Sequence, residues 1–106
     1  MMEDIIEKIA LKVVQTGTDK TNFRILGMID NGDDNINVLM KNIGLTKVPI
    51  NIRINQLEKV GLVDRQRGTG MVVLTEFGKD FLKSIYDYQD IVRFNIMDML
   101  KKMSDS

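Results

Sequence analysis

The chain has 106 residues, 43% of them hydrophobic and 28% charged, and its 15 basic and 15 acidic side chains cancel. That length fits one domain with a core large enough to fold without covalent staples. Cysteine and histidine are both absent, which removes disulfides, thiolate or imidazole metal sites, and Ser-His or Cys-His nucleophiles together.

Taken in order, Glu3 to about Gln15 reads as an amphipathic helix. Ile5, Ile6, Ile9, Val13 and Val14 line one side; Glu3, Asp4 and Glu7 suit its N-terminus, Lys8 and Lys12 its later turns. Its role is either an appendage packed on the core, the commoner use of such a helix, or part of a dimer contact. Thr16-Gly-Thr-Asp-Lys20 reads as a break. Asn22 to about Ile29 predicts a short helix stopped by Asp30-Asn-Gly32, and Asp33-Asp-Asn35 introduces another carrying Ile36, Val38, Leu39, Met40 and Ile43. Asp33 and Asp34 complement a helix N-terminus; two adjacent carboxylates lack the spaced oxygens of a calcium loop, so no metal or other cofactor is expected.

The stretch Gly44 to Val63 organises the rest. Thr46 offers an N-cap, Gly61 a stop, and Ile50, Ile54, Leu57 and Gly61 recur at helical spacing, which predicts a helix over 46–60 with one buried face. The opposite face carries Val48, Asn51, Ile52, Asn55 and Lys59. Pro49 disfavours a helical backbone at Val48, which predicts a late start with Pro49 as the first full helical residue. Val63-Asp-Arg-Gln-Arg67 and Met71-Val-Val-Leu74 alternate around Gly68-Thr-Gly70, a β-hairpin whose tip is flanked by Arg65 and Arg67.

Thr75 then caps a last helix running to about Met103, with Gly78 as a local weakness. At about 1.5 Å per residue this helix is roughly 40 Å long, more than a small domain covers. Phe81, Ile85, Tyr88, Val92, Ile96, Met99 and Met103 form one stripe, widened by Leu82, Ile91, Phe94 and Leu100. A stripe that outruns its domain calls for a partner surface, so residues 81–103 read as a homodimer seam, with the methionines as adaptable packing.

Charge is unevenly placed. Residues 41–70 hold six Lys/Arg against two Asp/Glu, a net +4, while 1–40 carry −3 and 71–106 carry −1. The basic balance sits on the central helix and hairpin. No apolar run approaches membrane-spanning length and none follows a basic start, so neither a membrane span nor a signal peptide is expected; with no cysteine, a cytoplasmic location is.

The element order predicts a mainly α chain with a small β-hairpin (α+β): a helix over 1–18, a domain over 19–83 and a terminal helix over 75–106 continuous with it. Two helices joined by a tight Gly-containing turn, followed by a hairpin, resemble the winged helix-turn-helix transcriptional regulators of the MarR and ArsR type and their small single-domain archaeal versions. The resemblance covers roughly Asn22 to Lys83. It is carried by Leu39-Met-Lys-Asn-Ile-Gly-Leu-Thr46, Leu57-Glu-Lys-Val-Gly-Leu-Val63 and Leu74-Thr-Glu-Phe-Gly-Lys-Asp-Phe-Leu82.

The resemblance implies a homodimeric regulator that binds double-stranded DNA; with no nucleophile–base pair or phosphate-cradling loop in the sequence, an enzyme is not expected. The central helix would enter the major groove and the wing, 64–74, would touch backbone or minor groove. Asn51 and Asn55 would each offer a donor and an acceptor to adenine, Val48 and Ile52 would meet thymine methyls, and Lys47 and Lys59 phosphates, with Arg65 and Arg67 acting from the wing. Arg53 lies at the edge of the buried stripe and is ambiguous. Val48 and Ile52 depart from the polar or basic residues usual there, which favours an alternative reading as a winged-helix protein-interaction module. An architectural chromatin-type DNA-binding protein is a further alternative, against which the zero net charge argues. The amides and lysines read equally well as ordinary solvated side chains.

Overall fold

Short polar residues and glycines place most of the element boundaries. Asp19, in extended backbone between two helices, accepts a hydrogen bond from the Asn22 N–H at 3.1 Å, and Asn35 accepts one from Asn37 at 2.9 Å. Thr75 does the same for the Gly78 N–H at 2.9 Å. In the computed structural model, which describes residues 1–105, the elements between these punctuation points are α1 (Met2–Thr18), α2 (Lys20–Asp30), α3 (Ile36–Ile43), α4 (Lys47–Lys59), β1 (Val63–Gln66), β2 (Met71–Leu74) and α5 (Glu76–Ser104). The described chain is thus mainly helical with one small antiparallel hairpin, in which Val63 pairs with Leu74 and Gln66 with Met71. No helix among the described residues is long and apolar enough to cross a membrane.

Several boundaries differ from the expected ones. The break after the first helix is Asp19 alone; Gly17 and Thr18 stay helical and α2 starts at Lys20. Gly17 is buried, and a Cβ there would lie 2.5 Å from the Phe81 ring, so the glycine marks close packing of α1 on α5. α4 begins at Lys47, with Pro49 as its third residue. Proline is tolerated there because the first four amides of a helix lack an intrahelical acceptor in any case. The expected Thr46 side-chain cap is not made. The acidic run before α3 does more than complement a helix: Val72 donates to the Asp34 carbonyl at 2.7 Å and Ile36 to that of Gly70 at 3.0 Å, which fastens this segment to β2.

The core lies where α2, α3, α4, the hairpin and the first turns of α5 converge. Ile25, Leu26, Leu39, Ile50, Ile54, Leu57, Leu62, Val63 and Val72 are all 0% exposed. Each contributes about 1.5–3 kcal/mol relative to an exposed side chain. The stripe predicted for α4 is therefore the buried one.

The two terminal helices only graze this core. On α1 the buried residues are Val13 and Gly17, while Ile5, Ile6 and Ile9 stay 58–59% exposed, so the helix is not an appendage packed along its length. On α5 burial ends near Ile85; Ile91, Phe94, Met97 and Leu100 are 57–72% exposed. The molecule is correspondingly elongated, 60 × 42 × 22 Å.

Gly78 is buried against the Leu62 backbone, where a Cβ would fall on the Leu62 carbonyl oxygen. In a helix interior Gly→Ala ordinarily stabilises by about 1 kcal/mol. Here the sign reverses: Gly78→Ala is expected to cost about 1–3 kcal/mol, the range of overpacked cores, read as a lower urea midpoint at unchanged slope. An unchanged or higher midpoint would show that the contact tolerates a methyl group.

Candidate nucleic-acid interface

α4 turns one face to the core and presents the other, and the neighbouring hairpin decides what that second face can offer. Val48 and Ile52 are 69% and 52% exposed, with Lys47 and Asn55 exposed beside them and Asn51 half-buried. Arg67 is exposed in the turn that follows β1, and neither it nor Lys47 has an ion-pair partner among the described residues. Pro49 leaves this first turn with one fewer backbone donor.

Arg65 behaves differently from a projecting wing cation. Its guanidinium lies along the flank of α4, donating to Asn51 Oδ1 at 2.7 Å, to the Asn51 carbonyl at 3.1 Å and to Asn55 Oδ1 at 2.8 Å. Its backbone N–H donates to Glu58 Oε2 at 3.2 Å. Its buried Nε has no acceptor among the described residues. Asn51 is engaged on its other side too, Nδ2 donating to the Lys47 carbonyl at 2.7 Å. Three residues expected to face a ligand independently are thus wired to one another, Asn51 with both amide atoms engaged and Asn55 with its oxygen alone.

The remaining candidates separate from this group. Lys59, at the C-terminal end of α4, borders an apolar hollow of about 320 Å³ with Lys8, Ile9, Lys12, Val13 and Val60, on the α1 side. Arg53 pairs with Asp19 at 2.7 Å, so its position at the edge of the stripe is an ion pair rather than a ligand contact. Lys47, Val48, Ile52, Asn55 and Arg67 therefore form the accessible part of the expected site, with Asn51 and Arg65 behind it and Lys59 to one side. Glu58 is the participant missed from the sequence; only the pairing of α4 with β1 reveals it. Among the described residues no group of three or more Asp, Glu, His or Cys side chains could hold a metal ion.

No protein-family model matches the chain, and no curated protein matches it. Among solved structures it is similar to RV1404 from Mycobacterium tuberculosis, with a TM-score of 0.68 over 92% of this chain and 71% of that one, at 17% sequence identity. At that identity the likeness is one of fold.

Asp19 serves two partners, the α2 amide and Arg53, and the two are separable. Asp19→Asn keeps the cap oxygen and loses the charge, and is expected to cost under about 1 kcal/mol because the pair is partly exposed. Asp19→Ala removes both and is expected to cost about 1–2 kcal/mol. Thermal unfolding of the two variants checks this; equal losses would assign the effect to the ion pair.

Proposed function

We propose that the chain is a winged helix-turn-helix DNA-binding regulator, with α4 as the helix that enters the major groove and β1–β2 as the wing, working as a homodimer. The observation that carries this reading is the outer face of α4. Lys47, Val48, Ile52 and Asn55 stand exposed on one side of a helix whose other side is wholly core, in the segment of net +4 that also holds the exposed Arg67 of the hairpin turn. A helix whose outer face is accessible from its N-terminal end suits insertion into the major groove, about 12 Å wide. The fold likeness to RV1404 is compatible with this assignment and says nothing of function.

Support for the dimer is independent of DNA. Apolar side chains exposed along the first half of α1 and the last two-thirds of α5 make continuous surfaces of a kind that monomers rarely leave to water. A partner packed there would relate two copies of α4 by a two-fold axis and address half-sites about one helical turn apart, or a multiple of it.

A second reading, a protein-interaction module, draws on the same exposed Val48 and Ile52, since apolar groups at the centre of an accessible face also suit a protein partner. Salt-titrated binding to defined duplexes separates the two. The regulator should bind some sequences well above others near physiological salt, and Arg67→Glu should weaken all duplexes alike by roughly tenfold, as expected for a phosphate contact. Binding confined to very low salt, with no preference among sequences, would favour the protein-interaction module. For the dimer, Val92→Glu with Ile96→Glu should halve the sedimentation mass while leaving the far-ultraviolet spectrum intact; an unchanged mass would place the seam elsewhere.

A further inference from the structure

The contacts of Arg65 constrain what the α4 face can read. A guanidinium has five N–H donors and no acceptor, so whatever faces it within hydrogen-bond distance must be an acceptor. At 2.7 and 2.8 Å from Arg65, Asn51 and Asn55 can therefore present only their amide oxygens. Asn51 has also committed its Nδ2 to the Lys47 carbonyl. Asn55 is exposed and its Nδ2 meets no acceptor among the described residues, so what it shows to solvent is an N–H edge.

We propose that Arg65 sets the base preference of the face: it turns Asn55 into a donor-only reader and withdraws Asn51 from reading. The paired donor–acceptor contact of an asparagine with adenine needs both amide atoms in the plane of one base edge. An amide oxygen has a second lone pair, but Asn55 cannot turn both atoms to one edge while its oxygen points at β1. Swinging the amide away would leave the half-buried guanidinium, whose Nε already has no acceptor, short of a second one. The half-site position under Asn55 must then offer an acceptor: a purine N7, the guanine O6 or the thymine O4. Ile52, within a turn of Asn55, and Val48, about two turns away on the same side, are exposed and suit thymine methyls at nearby positions. Arg65 is in this sense a positioning residue, acting on DNA through Asn55.

This inference rests on α4 reading DNA, and the test is built so that the two can fail separately. The intact protein is first used to enrich a preferred duplex from a random pool. Wild type, Arg65→Met and Asn55→Asp are then titrated with that duplex and with analogues altered one atom group at a time: a deazapurine lacking N7, bases lacking the O6 or O4 carbonyl, and a purine lacking the N6 amino group. Wild type should lose about tenfold in affinity when one acceptor is removed at one position, and nothing when an adenine amino group is removed. Asn55→Asp keeps an oxygen for Arg65 but has no N–H to donate, so it should lose that discrimination. Arg65→Met frees both amides and should become sensitive to the amino group.

A wild type that is weakened by loss of the amino group, or a base preference unmoved in both variants, overturns the proposal. Should Arg65→Met fail to fold, Asn55→Asp decides alone, because its carboxylate still satisfies the guanidinium. A wild type that enriches no sequence removes DNA reading altogether, and the role of Arg65 with it.

Discussion

The place where the polypeptide leaves α4 and re-enters at α5 holds the molecule in one arrangement. α4 ends on Gly61, at φ +83°, with the Gly61 N–H on the Glu58 carbonyl at 3.0 Å and the Leu62 N–H on that of Leu57 at 3.0 Å. This paired closure uses a left-handed residue that side chains disfavour. Thr75 then bonds to the same two residues: its hydroxyl donates to the Gly61 carbonyl at 2.6 Å and its N–H to that of Leu62 at 3.1 Å. The same hydroxyl oxygen accepts from the Gly78 N–H, which makes it the cap of α5. One threonine joins the end of a helix, the base of a hairpin and the start of a second helix. The absence of a Cβ at Gly78 is what lets the two backbones come that close.

A two-stranded hairpin of four-residue strands is marginal by itself, so its orientation has to come from such anchors. It has three. The Thr75 junction fixes its base, the Asp34 and Gly70 carbonyls tie β2 to the segment before α3, and Arg65 with Glu58 ties β1 to α4. Hairpin and α4 consequently behave as one surface, and α5 leaves that surface at a fixed angle. Whatever covers the exposed apolar length of α5 is mechanically coupled to the outer face of α4 through Thr75 and Gly78. In a dimer joined along α5, the separation of the two α4 helices would be set by this junction and not by loop length.

Much of this was legible from local patterns. The cap at Thr75, the stop at Gly61, the buried stripe of Ile50, Ile54 and Leu57 and the hairpin around Gly68-Thr-Gly70 each have a cause within a few residues of chain. What escaped has its cause far away in sequence. Gly17 and Gly78 look like helix breakers, and only the Phe81 ring and the Leu62 carbonyl explain them. Arg65 and Arg67 are two residues apart, which on a regular strand would place them on one face, but β1 ends at Gln66 and Arg67 already lies in the turn. The structure turns Arg65 onto the helix and leaves Arg67 outside, so of two arginines that read alike, one is a fastening and the other a free charge. Asn51 and Asn55 follow from that choice.

The same contacts thin out the positive charge of the central segment. Of its six cations, Arg53 is neutralised by Asp19; Arg65 keeps its charge, since Asn51 and Asn55 are neutral, but its donors are engaged by them, and Lys41, Lys47, Lys59 and Arg67 are the others without an ion-pair partner among the described residues. Lys59 stands toward α1, away from the other end of the face. Affinity that ignores sequence comes almost entirely from phosphate neutralisation, with about 0.9 counterions released per phosphate contacted. A surface with so few free cations, on a chain of zero net charge, has little of that to draw on. If α4 meets DNA, the balance has to come from fit in the groove and from contacts of Val48, Ile52 and Asn55 with base edges. That economy disfavours an architectural, sequence-tolerant protein of the same fold and makes base contacts the quantity on which the regulator reading depends.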